Sequence, residues 1–419
     1  MKFGYLYLYY FKFTIEELYL NIKVKLRYGK IKLNKICFIN PIEVLYEISP
    51  HKYNKWSINS RILDGDWDHS ESLFENLREV KAIEQRYKEG IQWEETDFYH
   101  QVMDEHANEI EKGFNYKKHL DNVLKGVDSL YFQIKKSGYK SKNELYSNKK
   151  IYGKIVNIKI GKKILDEVAL AISREGRFLF INGKHRLKIA QLFFINKISV
   201  IFVLRHKKWM EFRKKLIIFA KNCQGKKLDY QLTHPDLQDI PYKYKDLCFN
   251  LIKENLSVSQ GTLIDINANL GYFCHKFEDE GFDCYALEEN SICLHFLDKL
   301  KKAENKKYKI IPKSKFDDNL GLEITFDVVL ALNIFESIGK EKKSDKIIEF
   351  LRRLNFKELF LVVPNSRKLR NRKLYRNFNL DQFLKDITRE CFLNNAQFVG
   401  KIEENRLLYK FTSSKVYEN

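Results

Sequence analysis

Asp265 ends a short apolar run, and Gly271 follows it in a small-residue turn: Gly261-Thr-Leu-Ile-Asp-Ile-Asn-Ala-Asn-Leu-Gly-Tyr-Phe273. An apolar run that ends in a carboxylate and turns into a helix is how a nucleotide-handling α/β domain begins. Gly271 lets the backbone pass close to a ligand at the helix entry. Glu288 ends a second apolar run, where a carboxylate can accept both hydroxyls of a ribose. Asp317 follows a third run, where it can accept from an adenine amino group, and Leu332-Asn333 ends a fourth. A separate turn, Asn182-Gly-Lys-His-Arg186, follows a strand-like run and opens an apolar helix. Gly183 permits a tight turn, the free N–H groups of the helix start favour an anion, and Arg186 can hold a phosphate with two parallel hydrogen bonds. Lys184 adds a cation and His185 a donor. The same turn also reads as a plain cap with a surface arginine.

The elements that must position these residues follow from periodicity. Strand-like runs at Thr262–Ile266, Phe282–Leu287, Lys307–Ile311, Phe326–Leu332 and Glu358–Val363 have helical stretches between them, which predicts a parallel, doubly wound sheet. Phe398–Ile402 and Arg406–Phe411 flank Glu403-Glu-Asn405 and predict a terminal antiparallel hairpin. Upstream, Val168–Ile172 and Arg177–Ile181 flank the hairpin loop Ser173-Arg-Glu-Gly176, a helix spans Leu187–Phe194, and Ile198–Val203 is a further strand. Residues 1–50 alternate like strands, for example Ile22–Tyr28, and 71–135 read as helices broken at Gly90 and Gly113. Residues 207–245 read as a basic helix and a polar connector that contains His234-Pro-Asp236.

Residues 246–419 resemble the class I S-adenosylmethionine-dependent methyltransferases. Asp265-Ile-Asn-Ala-Asn-Leu-Gly271 stands where that family has Asp-x-Gly-x-x-x-Gly, Phe326-Asp-Val-Val-Leu-Ala-Leu332 resembles its fourth motif, and the family closes its sheet with a terminal hairpin. The resemblance implies an S-adenosylmethionine site made by Asp265, Asn267, Asn269, Gly271, Glu288, Asp317, Leu332 and Asn333, with the last two close to the reacting methyl. One position departs from the pattern: the first loop glycine is Asn267, the non-glycine type most tolerant of positive φ. Methyl transfer rests mostly on alignment, and an oxygen acceptor also needs a base. His275, His234 and Glu336 are the candidates, and the sequence assigns none of them.

Residues 151–206, with their hairpin, Gly-Lys-His-Arg turn and apolar helix, resemble the ParB/sulfiredoxin superfamily, whose members bind nucleotides at this turn. Sulfiredoxins carry a cysteine just before the His-Arg pair; Lys184 stands there instead, so sulfiredoxin chemistry is not expected. The expected organisation is an N-terminal strand and helical region (1–150), an α+β ParB/sulfiredoxin-like domain (151–206), a linker (207–245) and a Rossmann-like methyltransferase domain (246–419).

The chain has 419 residues, 44% hydrophobic and 14% aromatic, enough for two or three cored domains. No apolar run is long enough to span a bilayer, and no signal peptide is read at the N-terminus. Cysteines 37, 223, 248, 274, 284, 293 and 391 are scattered without a Cys-x-x-Cys pair, which predicts a reducing cytoplasm and no zinc site. The net charge of +20 comes from lysines spread along the chain, with six positive charges in Ser366–Arg376; an anionic acceptor or a solvated basic helix explains that segment equally. Asp64-Gly-Asp-Trp-Asp68 places three carboxylates at alternate positions, but His69 stands where a calcium loop needs glycine, so a solvated turn is preferred to a metal site. These readings converge on a cytoplasmic methyltransferase that acts on a small molecule or glycan, with a nucleotide or phosphate at the ParB-like turn. Two alternatives stand beside it: a ParB-like DNA- or nucleotide-binding protein with an inert methyltransferase fold, and a phosphotransfer enzyme built on the middle domain.

Overall fold

The computed structural model describes residues 26–28, 35–48, 61–69, 71–107, 115–141, 144, 167–316, 324–337, 343–365, 379–394, 396–403 and 406–414. The chain divides into two compact units, Met1–Ile218 and Phe219–Asn419.

The first unit is built on a mixed sheet. Its strands are β1 (Ile36–Ile39), β2 (Tyr46–Glu47), β3 (Arg61–Leu63), β4 (Val168–Ile172), β5 (Phe178–Asn182) and β6 (Ile198–His206), in the order β1-β6-β4-β5-β2, with β3 also on β6. Early and late segments thus share one sheet. All residues of β4 and β6 are buried, as expected of continuous apolar runs covered on both faces. The Ser173–Gly176 loop closes β4 onto antiparallel β5, with Ser173 N–H donating to Arg177 O at 3.0 Å. Helices α1 (Arg78–Glu84), α2 (Asp97–Glu105), α3 (Tyr116–Ser137) and α4 (Lys184–Leu192) share a core that includes Ile83, Trp93, Leu120, Val127 and Ile189. Gly90, at φ 78°, ends the first helical stretch, and the Thr96 side chain caps α2 by accepting from Tyr99 N–H. Of the expected strand Ile22–Tyr28 only 26–28 are described, and they are helical; Gly113 lies outside the described residues. Helix α5 (Lys207–Asn222) carries the chain across the boundary between the units.

The second unit opens with a short parallel pair, β7 (Leu228–Tyr230) and β8 (Tyr242–Tyr244). There follow α6 (Leu247–Asn255), β9 (Thr262–Ile266), α7 (Tyr272–Asp279), β10 (Asp283–Glu288), α8 (Ser291–Ala303), β11 (Lys309–Pro312), β12 (Thr325–Ala331), α9 (Lys343–Arg352), β13 (Asn355–Pro364), α10 (Leu380–Glu390), β14 (Gln397–Glu403) and β15 (Arg406–Thr412). The seven-stranded sheet runs β11-β10-β9-β12-β13-β15-β14. β9 to β13 are parallel, and β15 inserts antiparallel between β13 and β14. This is a Rossmann-like sheet closed by an antiparallel hairpin. Ile264, Leu287, Val329 and Leu361 face one core with α9 and α10, while Leu263, Ala286, Val328 and Phe360 face the other with α6 and α7. Strand order reverses between β9 and β12, so a crevice opens at their carboxyl ends, the place where such sheets bind ligands.

Candidate functional site

Asp265 lies one residue before the end of β9, paired across the sheet with Ala286 of β10 and Leu330 of β12. Its carboxylate is fully buried, and among the described residues neither oxygen has a hydrogen-bond partner. Burial first, and then the Glu288 charge, push its pKa well above the usual carboxylate range. The turn that follows alternates in hand: Asn267, Asn269 and Gly271 lie at φ 59°, 53° and 79°. Asparagine reaches this region at modest cost because its short amide finds local partners. Gly271 is needed for packing: a Cβ there would stand 2.4 Å from Leu297 Cδ1 and 3.1 Å from the Tyr308 hydroxyl. Its environment is therefore protein rather than open cleft.

Glu288, at the end of β10, holds the turn in place. One carboxylate oxygen accepts from Asn269 N–H at 2.7 Å; the other accepts from the N–H groups of Glu289 and Asn290 at 2.9 and 2.8 Å. Ala268 N–H donates to Leu287 O at 3.0 Å. On the other side, Asn333 Nδ2 donates to Asn267 O at 3.4 Å. Arg406, from β15, donates through Nη2 to Leu332 O at 2.7 Å and to Asn333 Oδ1 at 3.1 Å. The first, second and fourth strand ends are thereby joined through Asn267, Asn269, Glu288, Leu332 and Asn333. Asp317 lies outside the described residues.

A strap formed by β7 and the residues after it covers this crevice. Tyr230 stacks on Tyr272, rings 4.7 Å apart and 12° from parallel. Asp229 Oδ2 accepts from Asn269 Nδ2 at 3.2 Å, and its Oδ1 accepts from Lys243 Nζ at 2.8 Å. Asp229, Tyr230, Thr233, Asn269, Tyr272 and Asn333 line a cleft with about 30 Å³ of free volume, room for a water or two. Nothing in the local sequence marked Asp229, Tyr230 or Arg406, because each acts through a partner distant along the chain.

The base candidates have other work. His275 is buried: Nδ1 contacts Gly271 O at 2.9 Å, and Nε2 lies 3.3 Å from Glu304 Oε1, close enough for charge attraction though poorly angled for a hydrogen bond. Burial lowers its pKa, but Glu304 more than offsets this and the net shift is upward. Glu304 also accepts from Thr233 Oγ1 at 2.7 Å and feels His234. His234, buried as well, accepts from Asp236 N–H at 3.2 Å through Nδ1. The side chain of Glu336 lies outside the described residues.

No family model matches the chain, and no curated protein matches it. Among solved structures it is similar to the bifunctional kinase-methyltransferase WbdD, at 11% identity and a TM-score of 0.38, over 47% of this chain and 45% of that one. It is similar to an S-adenosylmethionine-dependent methyltransferase from Clostridium acetobutylicum ATCC 824 at 12% identity and a TM-score of 0.36, over 49% of this chain and 99% of the other. A third is magnesium protoporphyrin IX methyltransferase (ChlM) from Synechocystis PCC 6803 with bound SAM, at 10% identity and a TM-score of 0.29, over 40% and 76%. The chain thus spans less than half the length of WbdD. The fold of the second unit rests on its own strand order.

In the first unit, Gly183, at φ 91°, and Lys184, His185 and Arg186 do gather at the start of α4. Lys184 pairs with Glu79. Arg186 turns inward: it is buried, donates to Lys140 O at 2.7 Å and to the Tyr139 hydroxyl at 3.3 Å, and lies over the Tyr139 ring. Burial, then the Lys184 charge, lower the His185 pKa. Arg186 is therefore not the surface arginine of the plain-cap reading: it is engaged on the side of α4 that α3 and the residues after it cover. The Asp64–Asp68 turn is clamped by cations. Asp64 pairs with Lys207 at 2.6 Å, and Arg174 bonds both Asp66 and Asp68, each at 2.7 Å. Among the described residues no cluster of three or more His, Cys, Asp or Glu could hold a metal, and no helix is long and apolar enough to cross a membrane. The basic stretch Ser366–Arg376 lies outside them.

Proposed function

We propose that the second unit binds S-adenosylmethionine and transfers its methyl group to a small-molecule or glycan acceptor. The observation that carries this reading is Asp265: a buried carboxylate without a partner, at the carboxyl end of the central strand, where strand order reverses. Such a group costs several kilocalories per mole unless something bound nearby supplies its hydrogen bonds. Glu288 retains acceptor capacity beyond its three amide bonds and suits a ribose diol. Asn267 to Gly271 would carry the backbone past the methionine part, Leu332 and Asn333 would flank the reacting carbon, and Asp317 would take the adenine amine. The cofactor supplies an electrophilic methyl on a sulfonium sulfur. This chain's residues then need only align an acceptor and exclude water. His275 and His234 are held by Glu304 and Asp236 and are not assigned as base. With Lys184 and Arg186 engaged inside the first unit, a nucleotide there is not part of the proposal.

Calorimetric titration of S-adenosylmethionine tests this. Binding near micromolar strength by wild type, lost in Asp265→Ala and Glu288→Ala proteins whose circular dichroism is unchanged, is the expected result. No binding by a folded wild type would sink the reading and favour an inert methyltransferase fold.

A further inference from the structure

We propose that Asp229 receives the α-ammonium group of the cofactor's amino-acid end. The inference rests on the methyltransferase reading of the same crevice and adds a binding residue from outside every motif in the sequence. Two observations lead to it. Asp229 lines the cleft beside Asn269, in the turn that would border the methionine part. Its carboxylate already bonds a primary ammonium, Lys243 Nζ, at 2.8 Å, in a pair whose side chains are only 23% and 21% exposed. A carboxylate offers about four acceptor sites, and Asn269 and Lys243 take one each, so Asp229 can hold a second ammonium or exchange Lys243 for it. The wall beside it is the buried Tyr230–Tyr272 stack, whose rings face each other and, for Tyr272, Lys276 as well. An ammonium suits the carboxylate of this lining, Asp229; the cations bonded to the lining are Lys243 on β8, on Asp229 itself, and Arg406 on β15, on Asn333.

The test compares two ligands by calorimetry: S-adenosylhomocysteine, which has the amino-acid end, and 5′-methylthioadenosine, which lacks it. Asp229→Asn is expected to weaken S-adenosylhomocysteine about tenfold or more, the usual effect of losing a hydrogen bond to a charged group, and to leave 5′-methylthioadenosine unchanged. Lys243→Met removes the competing ammonium and should bind S-adenosylhomocysteine at least as tightly as wild type. Equal effects of Asp229→Asn on the two ligands, or a loss in Lys243→Met that matches it, would overturn the assignment while leaving the cofactor site standing. If wild type binds neither ligand, the assignment and the methyltransferase reading fall together. Should Asp229→Asn fail to fold, Asp229→Glu replaces it: weaker S-adenosylhomocysteine with 5′-methylthioadenosine unchanged supports the assignment, and equal effects on the two overturn it.

Discussion

At the scale of single residues, two buried ionisable groups make opposite predictions. Asp265 has its pKa raised by burial and by Glu288. The fold therefore keeps a proton that the unfolded chain releases near the ordinary value of 3.8, and stability falls as pH rises from there toward the raised value. Asp265→Asn removes the ionisation part of that cost and leaves a buried amide in its place. Its Tm is expected to fall less than that of wild type between pH 4 and pH 8, while S-adenosylmethionine binds less well. Parallel pH slopes for the two proteins would show that Asp265 does not titrate with a raised pKa. The His275–Glu304 pair works the other way. His275 is shifted up and Glu304 down. The His275 contribution is complete below its ordinary 6.5 and is lost as pH rises through the raised value; the Glu304 contribution is complete above 4.5 and is lost as pH falls through the lowered one. The pair supports the fold most between those two ordinary values. Melting curves from pH 4 to 9 should show wild type losing Tm on the alkaline side, and Glu304→Gln should flatten that slope. An unchanged slope would mean the pair carries no net stability.

At the scale of elements, the β7 strap limits the room in the cleft. About 30 Å³ of free volume admits no cofactor of nucleoside size, so the proposed site requires its lining to widen while Asp229 stays within reach of the ligand. Tyr230→Ala removes the stack on Tyr272 and should raise the association rate of S-adenosylhomocysteine several-fold in stopped-flow measurements. An association rate identical to wild type would mean the strap does not limit entry. The core elements were the most legible in sequence. β9 matches its expected bounds, Thr262–Ile266, and the strand read at Phe282–Leu287 appears as Asp283–Glu288. Both hairpins form where turn residues and alternation place them. The expected strand at Ile22–Tyr28 is helical in the residues described, 26–28, so alternation alone misled there.

At the scale of the molecule, a charge of +20 invites a nucleic-acid reading. The described surface tempers it: many lysines stand against carboxylates, as in Lys207–Asp64, Lys243–Asp229, Lys276–Asp246 and Lys302–Asp298. Binding to random duplex DNA is expected to be weaker than about 10 μM at physiological salt, within the range of sequence-independent charge attraction. Tight binding with a steep salt slope would revive the DNA-binding alternative.

Features that depend on neighbours within a turn or two are written in the chain itself: the alternation of strands and helices, the carboxylates at the ends of β9 and β10, and a turn whose asparagines and glycine accept positive φ. Those features are set by side-chain period and by backbone sterics, which are local. Which charges are already engaged is set by packing. Asp229 meets Asn269 across 40 residues, Arg406 meets Leu332 across 74, and Lys184 meets Glu79 across 105. A titratable group's partner is chosen by how packed elements bring distant segments within a few ångströms, and no local pattern encodes that distance. The same physics that left Asp265 without a partner turned Arg186 into the core and set the strap over the crevice.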